Sequence, residues 1–185
     1  MSANVIARLG FAGGRAFEAV EADLLRERVD AIVNAANGAL AHGGGVAAAI
    51  ARAAGEALTA EDNRILAERG HIPTGDAVVS AAGKLPFKGI IHAVGPVQGQ
   101  GDEEGQLTSA LLAAFRLADD RGWQSLAFPA VSSGIFGVPV DVCARAYIRA
   151  VREFFAERPE GNLKAIRLCL LQGPIVEAVR KAVKA

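Results

Sequence analysis

Net charge is the first thing missing: 20 Lys and Arg residues are matched by 20 Asp and Glu, and the sequence contains no Lys/Arg run. This excludes a whole-molecule field that would draw in nucleic acid or an anionic membrane. Aromatics for base stacking are scarce, with one Trp and one Tyr, which also disfavours a nucleic-acid-binding protein. The only two cysteines, Cys143 and Cys169, sit in apolar patterns outside any CxxC arrangement. Two buried, reduced thiols are therefore expected, as in a cytoplasmic protein. Three histidines scattered at 42, 71 and 92 give a metal site little to build on. There is no signal-peptide pattern, and no apolar run approaches the roughly 20 residues of a membrane span.

Apolar residues, at 51% of 185, are ample for one core. Short β-type runs fall at Val5–Leu9, Phe17–Ala22, Ala31–Asn34, Ala77–Ala81, Gly89–Val94, Leu126–Pro129 and Ala165–Leu171. Several are nearly continuous in Val, Ile and Leu, as in strands covered on both faces. Between them, helical periodicity predicts a helix from Val46 to about Ala60. A second carries Leu107, Leu111, Phe115 and Ala118, and a third is capped by Asp141 and stops before Pro159. The last begins with Pro174 and runs to Lys184. This alternation predicts an α/β fold: a three-layer α/β/α sandwich around a mixed, mostly parallel sheet of six or seven strands. The first two runs, joined by "FAGGRAF", should pair as an antiparallel hairpin on an otherwise parallel sheet. No linker or repeat divides residues 1–185, so one domain is expected.

What needs explaining is "NAANGALAHGGGVAAAI", Asn34 to Ile50, where three glycines stand at the start of a helix. Gly destabilises regular structure by up to about 1 kcal/mol relative to Ala, so a triplet there marks either close approach to the backbone or a merely flexible loop. Bare N–H groups at a helix N-terminus suit a phosphate. A second glycine-rich loop, "FPAVSSGIFGVP" from Phe128 to Pro139, follows another strand. Phe136 there either covers a sugar or base or folds back onto the core. A third segment, "IIHAVGP", places His92 mid-strand, where an interior histidine satisfied by neighbours is expected. Asn34 and Asn37 either tie a turn to its own backbone or bind ribose hydroxyls. Two such loops at neighbouring strand ends suggest a diphosphate gripped from both sides.

The segments "VDAIVNAANGALAHGGGVAAAI", "TGDAVVSAAGKLPFKGIIHAVGP" and "SLAFPAVSSGIFGVP", in this order and spacing, resemble the macro domain, an ADP-ribose-binding module. The "HGGGVA" form is similar to archaeal and bacterial stand-alone members. The resemblance implies that Asp23 accepts a hydrogen bond from the adenine amino group, with the Leu24 backbone beside it, and that Asn37 holds the distal ribose. Gly44, Gly45 and Val46 would form one diphosphate loop, and Ser132, Ser133, Gly134, Ile135 and Phe136 the other. Taken alone, Asp23 reads as a helix cap or a surface charge. Two features depart from the pattern. Ala47 stands where many hydrolytic members carry an acidic residue after "GGGV", which removes a candidate general base. Near the last strand, Leu171 or Gln172 falls where an aromatic often stacks on adenine.

The implied activity is hydrolysis of mono-ADP-ribosyl esters, on protein carboxylates or in O-acetyl-ADP-ribose. Asn37 and Gly44 are its catalytic residues, and it calls for no cofactor. The alternative is a reader that binds free or protein-linked ADP-ribose and cleaves nothing. Either partner is a nucleotide or a modified protein, not nucleic acid or membrane, and the chain is expected to be a monomer.

Overall fold

The first two apolar runs are joined too tightly to do anything but turn back, and they do. In the computed structural model, which describes residues 4–185, strand β1 (Asn4–Phe11) pairs antiparallel with β2 (Arg15–Glu21). There follow β3 (Ala31–Ala36), α1 (Gly45–Ala54), α2 (Glu56–Arg69), β4 (Ala77–Ser80) and β5 (Gly89–Val94). The chain continues through α3 (Glu103–Asp120), β6 (Ser125–Pro129), α4 (Val140–Glu157), β7 (Ala165–Leu170) and α5 (Pro174–Lys184). The strands form one seven-stranded sheet in the order β1-β2-β7-β6-β3-β5-β4. The five central strands run parallel, so crossover helices must cover both faces.

Side-chain alternation divides the core accordingly. Val33 and Ile91 pack on one face with Leu111, Phe115, Tyr147 and Phe154 of α3 and α4. Their neighbours Ile32 and Ile90 point to the other face, against Ile50 and Ala54 of α1. This is the three-layer sandwich that the periodicity predicts. No helix among the described residues is long and apolar enough to cross a membrane. Cys143 and Cys169 are buried and unpaired. Burial pushes their thiols up to about 11 and about 12, so both stay protonated.

Three local expectations are corrected. The sheet has a second antiparallel edge, β4 on β5. Residues 81–88 between them are too few for a parallel crossover, which needs a dozen or more. The helix expected from Val46 to Ala60 is two helices, broken at Gly55. That residue sits at φ 81°, with its N–H on the Ala51 carbonyl. Asp141 does not cap the third helix. Pro139 holds the cap position, and Asp141 lies in the first turn, paired with Arg145. Asp102, one position before α3, is the residue that caps, accepting from the Gly105 N–H.

Strand β3 also runs two residues beyond its expected end, so Asn34 lies inside it, on the buried side of the loop it was expected to serve. Its Nδ2 donates to His92 Nδ1 at 3.1 Å. His92 Nε2 lies 2.8 Å from Ser80 Oγ, which itself donates to the Ala81 carbonyl at 3.2 Å. These partners fit a neutral ring carrying its proton on Nε2. His92 is thus the satisfied interior histidine that its mid-strand position suggests.

Burial, with a contribution from the nearby His42, pushes His92 down to about 3. An unfolded histidine titrates near 6.5. The unfolded chain therefore takes up a proton that the folded chain refuses, and the stabilising effect, complete above about pH 6.5, is lost as pH falls. Between pH 7 and 5, urea denaturation should show the wild type losing up to about 2 kcal/mol more than His92→Gln. Burial raises the pKa of Asp62, which acts in the opposite sense; its Oδ1 stands 3.2 Å from His92 Nε2, so the comparison is made with Asp62→Asn in both proteins to remove that coupled titration. Equal losses would contradict the buried neutral imidazole.

Candidate nucleotide-binding cleft

At the carboxyl ends of the central parallel strands, where α/β sheets gather their ligands, lies a cleft of about 780 Å³. It is built from four segments: 22–25 after β2, the β3–α1 loop, the β6–α4 loop, and residues 169–175 around the end of β7.

The β3–α1 loop is set by Asn37. Its Oδ1 accepts from the N–H groups of Ala39 and Ala41, and its Nδ2 donates to the Ala41 carbonyl at 3.1 Å. The side chain therefore ties the turn to its own backbone while still lining the cleft. Leu40, at φ 49°, plugs into a small core cluster with Ile65 and Ile72. Beyond Ala41 the backbone opens out. The N–H groups of Gly43, Gly44, Gly45, Val46 and Ala47 donate to no acceptor among the described residues; the first helical bond runs from Ala48 N to Gly44 O. Gly45 needs its glycine for φ 58°. At Gly44, a Cβ would lie 3.1 Å from Ile135 Cδ1, the movable tip of an exposed side chain. The positive end of the α1 macrodipole adds to these amides.

The β6–α4 loop faces it. Tyr147, fully buried, donates its hydroxyl to the Val131 carbonyl at 2.6 Å. The Ser133 hydroxyl donates to the Ala130 carbonyl, and Val138 N to Ser132 O. Ser132 itself is held at φ 66°, with a buried Oγ that has no hydrogen-bond partner. The N–H groups of Gly134, Ile135 and Phe136 donate to no acceptor among the described residues. Phe136 is half-buried and lines the cleft, not the core. Ile135, 79% exposed, reaches across toward Gly44, so the two loops meet over the cleft.

At the other end, Asp23 accepts from Leu25 N at 3.0 Å as the cap of a short 3-10 turn, Leu24–Arg26. Its Oδ2 stands 3.5 Å from Arg26 Nε. Leu24, Leu25, Cys169, Leu171 and Ile175 make an apolar wall beside it. Leu171 is 75% exposed, and the Gln172 amide is drawn aside to Glu21. Ala47 is buried in the floor.

All eleven residues singled out in the sequence (Asp23, Leu24, Asn37, Gly44, Gly45, Val46, Ser132, Ser133, Gly134, Ile135 and Phe136) line this one cleft, and Asn34 does not. Asp23 is the only carboxylate among the lining residues, which include no Lys, Arg or His. The cleft can thus meet a negative charge with main-chain N–H groups and neutral polar side chains, without a cation. Among the described residues, no cluster of three or more His, Cys, Asp or Glu could hold a metal ion. A smaller groove of about 350 Å³ borders α4 and α5. Its Arg145 and Arg149 are already paired with Glu104, Asp141 and Glu153.

Sequence reasoning missed Gly95, at the end of β5. A Cβ there would lie 2.3 Å from Ser132 Oγ and 2.9 Å from Val131 Cγ1. The signal was present as a Gly-Pro pair closing a strand, which marks close backbone approach as well as a turn. Gly95→Ala should push the 131–138 loop outward. Crystallography would show the shift, and thermal unfolding should report a loss of about 1–3 kcal/mol from overpacking. An undisplaced loop would refute this packing role.

Comparison with known proteins agrees with the cleft. Residues 33–147 match the family model described as "Macro domain". A macro domain-containing protein of Caldanaerobacter subterraneus is 39% identical over 166 residues, covering 88% of this chain and 93% of its own length. An O-acetyl-ADP-ribose deacetylase of Escherichia fergusonii is 42% identical over 137 residues, 73% of this chain and 77% of its own. Other relatives are far longer: the chain spans 26% of an uncharacterized Thermotoga maritima protein that is 46% identical to it. Among solved structures, the Oceanobacillus iheyensis macrodomain with ADP superposes at a TM-score of 0.87, with 28% identity, over 96% of this chain and 95% of that one. A Trypanosoma brucei macrodomain in complex with ADP-ribose reaches 0.81 at 27% identity, over 98% and 74%. With more than half of its length and both cleft loops inside the family match, the chain belongs to the macro domain family.

Proposed function

We propose that residues 1–185 form a single macro domain that binds ADP-ribose and hydrolyses mono-ADP-ribosyl esters, on protein carboxylates or in O-acetyl-ADP-ribose. The observation that carries this reading is the pair of facing loops with unpaired N–H groups, in a cleft that offers no cationic side chain. Such an array recognises the geometry of a diphosphate, since bonds from N–H groups to charged oxygens are short and directional. Asp23 receives the adenine amino group against the Leu24–Ile175 wall, and Asn37 and Phe136 border the distal ribose. The scissile ester then lies near Asn37 and Gly44.

Ala47 supplies no base, so the attacking water is held between the distal ribose and the diphosphate. A substrate phosphate oxygen orients it or accepts its proton. For an ester at the anomeric carbon, the water oxygen bonds to that carbon while the carboxylate leaves with the bonding pair. The loop N–H groups stabilise the charge that builds up, so rate acceleration comes from positioning and electrostatics. The names of the deacetylase relatives support hydrolysis. The alternative, a reader that binds and does not cleave, is favoured by one feature, the absence of an ionisable group beside the ribose end. The protein is proposed to act as a cytoplasmic monomer without a cofactor.

The test is to incubate the protein with a glutamate-linked mono-ADP-ribosylated protein and, separately, with O-acetyl-ADP-ribose, and to measure released product. Release above background is expected; tight ADP-ribose binding without release would leave only the reader. Asn37→Ala removes three hydrogen bonds inside the loop as well as the ribose contact. It should lower turnover by about tenfold or more, and affinity by less. A wild-type rate would take Asn37 out of the mechanism. Gly44→Glu is compatible with the extended backbone there (φ −175°, ψ 178°), and the Ile135 tip can yield. The variant should fold normally yet give no ADP-ribose signal by calorimetry, because a carboxylate fills the anion seat. Undiminished affinity would place the diphosphate elsewhere.

A further inference from the structure

Between the Asn37 turn, which ends at Ala41, and the first α1 bond at Gly44, no backbone hydrogen bond involves His42 or Gly43 among the described residues. The chain that carries the free amides is held there by one side chain. His42 turns away from the cleft into the protein, and its Nε2 lies 2.6 Å from Asp62 Oδ2 on α2. Both side chains are nearly buried, at 11% and 4% exposure. Among the described residues each makes no other side-chain hydrogen bond: His42 Nδ1 and Asp62 Oδ1 are buried without a partner there. His92 Nε2 stands 3.2 Å from Asp62 Oδ1 but is directed at Ser80. A buried carboxylate satisfied on one oxygen is a poor source of stability, and an apolar pair would hold the fold as well. What it does supply is a directional link from α2 to the residue just before the glycine triplet.

We propose that His42 and Asp62 are positioning residues for the diphosphate loop. Their bond fixes the path of Gly43–Gly45 so that the unpaired N–H groups point into the cleft, and neither residue touches the ligand. This role rests on the reading of that loop as the diphosphate seat. It also gives His42 a function in a cleft from which the side chain itself is absent. Amides acting as a preorganised array tolerate displacements of only about 0.5 Å, and an error near 1 Å costs on the order of a hundredfold.

The test compares ligands with and without the diphosphate. Affinities for ADP-ribose, ADP and adenosine are measured by calorimetry or NMR titration for the wild type, His42→Ala, His42→Gln and the double variant His42→Leu/Asp62→Leu. His42→Ala should lose about tenfold to a hundredfold for ADP-ribose and ADP, and less than about threefold for adenosine. His42→Gln keeps an N–H for Asp62 and should recover most of the loss. The double variant removes the buried charge, so it folds even where the single alanine does not, and it should show the same selective loss. Unchanged ADP affinity in the double variant, or an equal loss for adenosine, would overturn the positioning role alone. A wild-type protein that binds ADP no better than adenosine would instead overturn the diphosphate reading itself.

Discussion

Main-chain N–H groups that have nothing of their own to bond are the constraint around which this molecule is arranged. Among the described residues, five of them stand at the start of α1 and three more in the β6–α4 loop, on opposite sides of one cleft. A side chain can swing to meet a ligand, whereas a backbone amide points where the chain path sends it. Everything that fixes the two paths is therefore part of the site, including residues that never face it. Asn37 braces one loop from within, Leu40 plugs it into the core, and His42 ties it to α2. Tyr147, fully buried in α4, holds the other loop by the Val131 carbonyl, and Gly95 leaves room for it to sit close to β5.

The neutral balance of the sequence has its counterpart here. A cleft with arginines would attract many anions, and its long side chains would need ordering on binding. Amides fixed by the fold lose little further freedom and are selective for the spacing of two phosphates over single charges. The same arrangement explains the glycines position by position. Gly45 is needed for its left-handed backbone, while a Cβ on Gly44 would press only on the movable tip of Ile135 and one on Gly43 would meet nothing within 4 Å. The triplet therefore combines one strict backbone requirement with two positions that the packing of the protein itself leaves open.

Local patterns in the sequence carried the layers of the fold, because strands covered on both faces read as unbroken apolar runs and Pro174 marks where α5 begins. They also carried the glycine loops, since a glycine triplet weakens a helix start unless something must come close to its backbone. What escaped was whatever depends on distant partners. Asn34 reads as the end of a strand because an apolar run stops there. Its place inside β3 is set by pairing with His92, 58 positions on in the chain, whose ring is held in turn by Ser80. Asp62 reads as one more charge on a polar helix, and His42 as a stray histidine; only folding brings them to 2.6 Å. The second antiparallel edge was different, since the shortness of the 81–88 link was there to be counted.

The chemistry left to such a cleft follows from what lines it. Asp23, the sole carboxylate, is engaged with Leu25 N and lies at the end away from Asn37, so in the proposed function no side chain near the distal ribose can take a proton at neutral pH. Ala47 closes the floor with a methyl group. An activated ester still needs little more than an oriented water and a place for negative charge to accumulate, and the substrate's own diphosphate lies next to both. In the proposed mechanism rate and affinity are coupled: the amides that hold the phosphates also set where the water stands. In an enzyme with a dedicated base, a loosened loop would weaken binding and leave the intrinsic chemistry largely intact. Under the mechanism proposed above, loosening the glycine loop removes the template for the reaction itself, which would make the rigidity supplied by Asn37, His42 and Tyr147 the nearest thing this site has to a catalytic group.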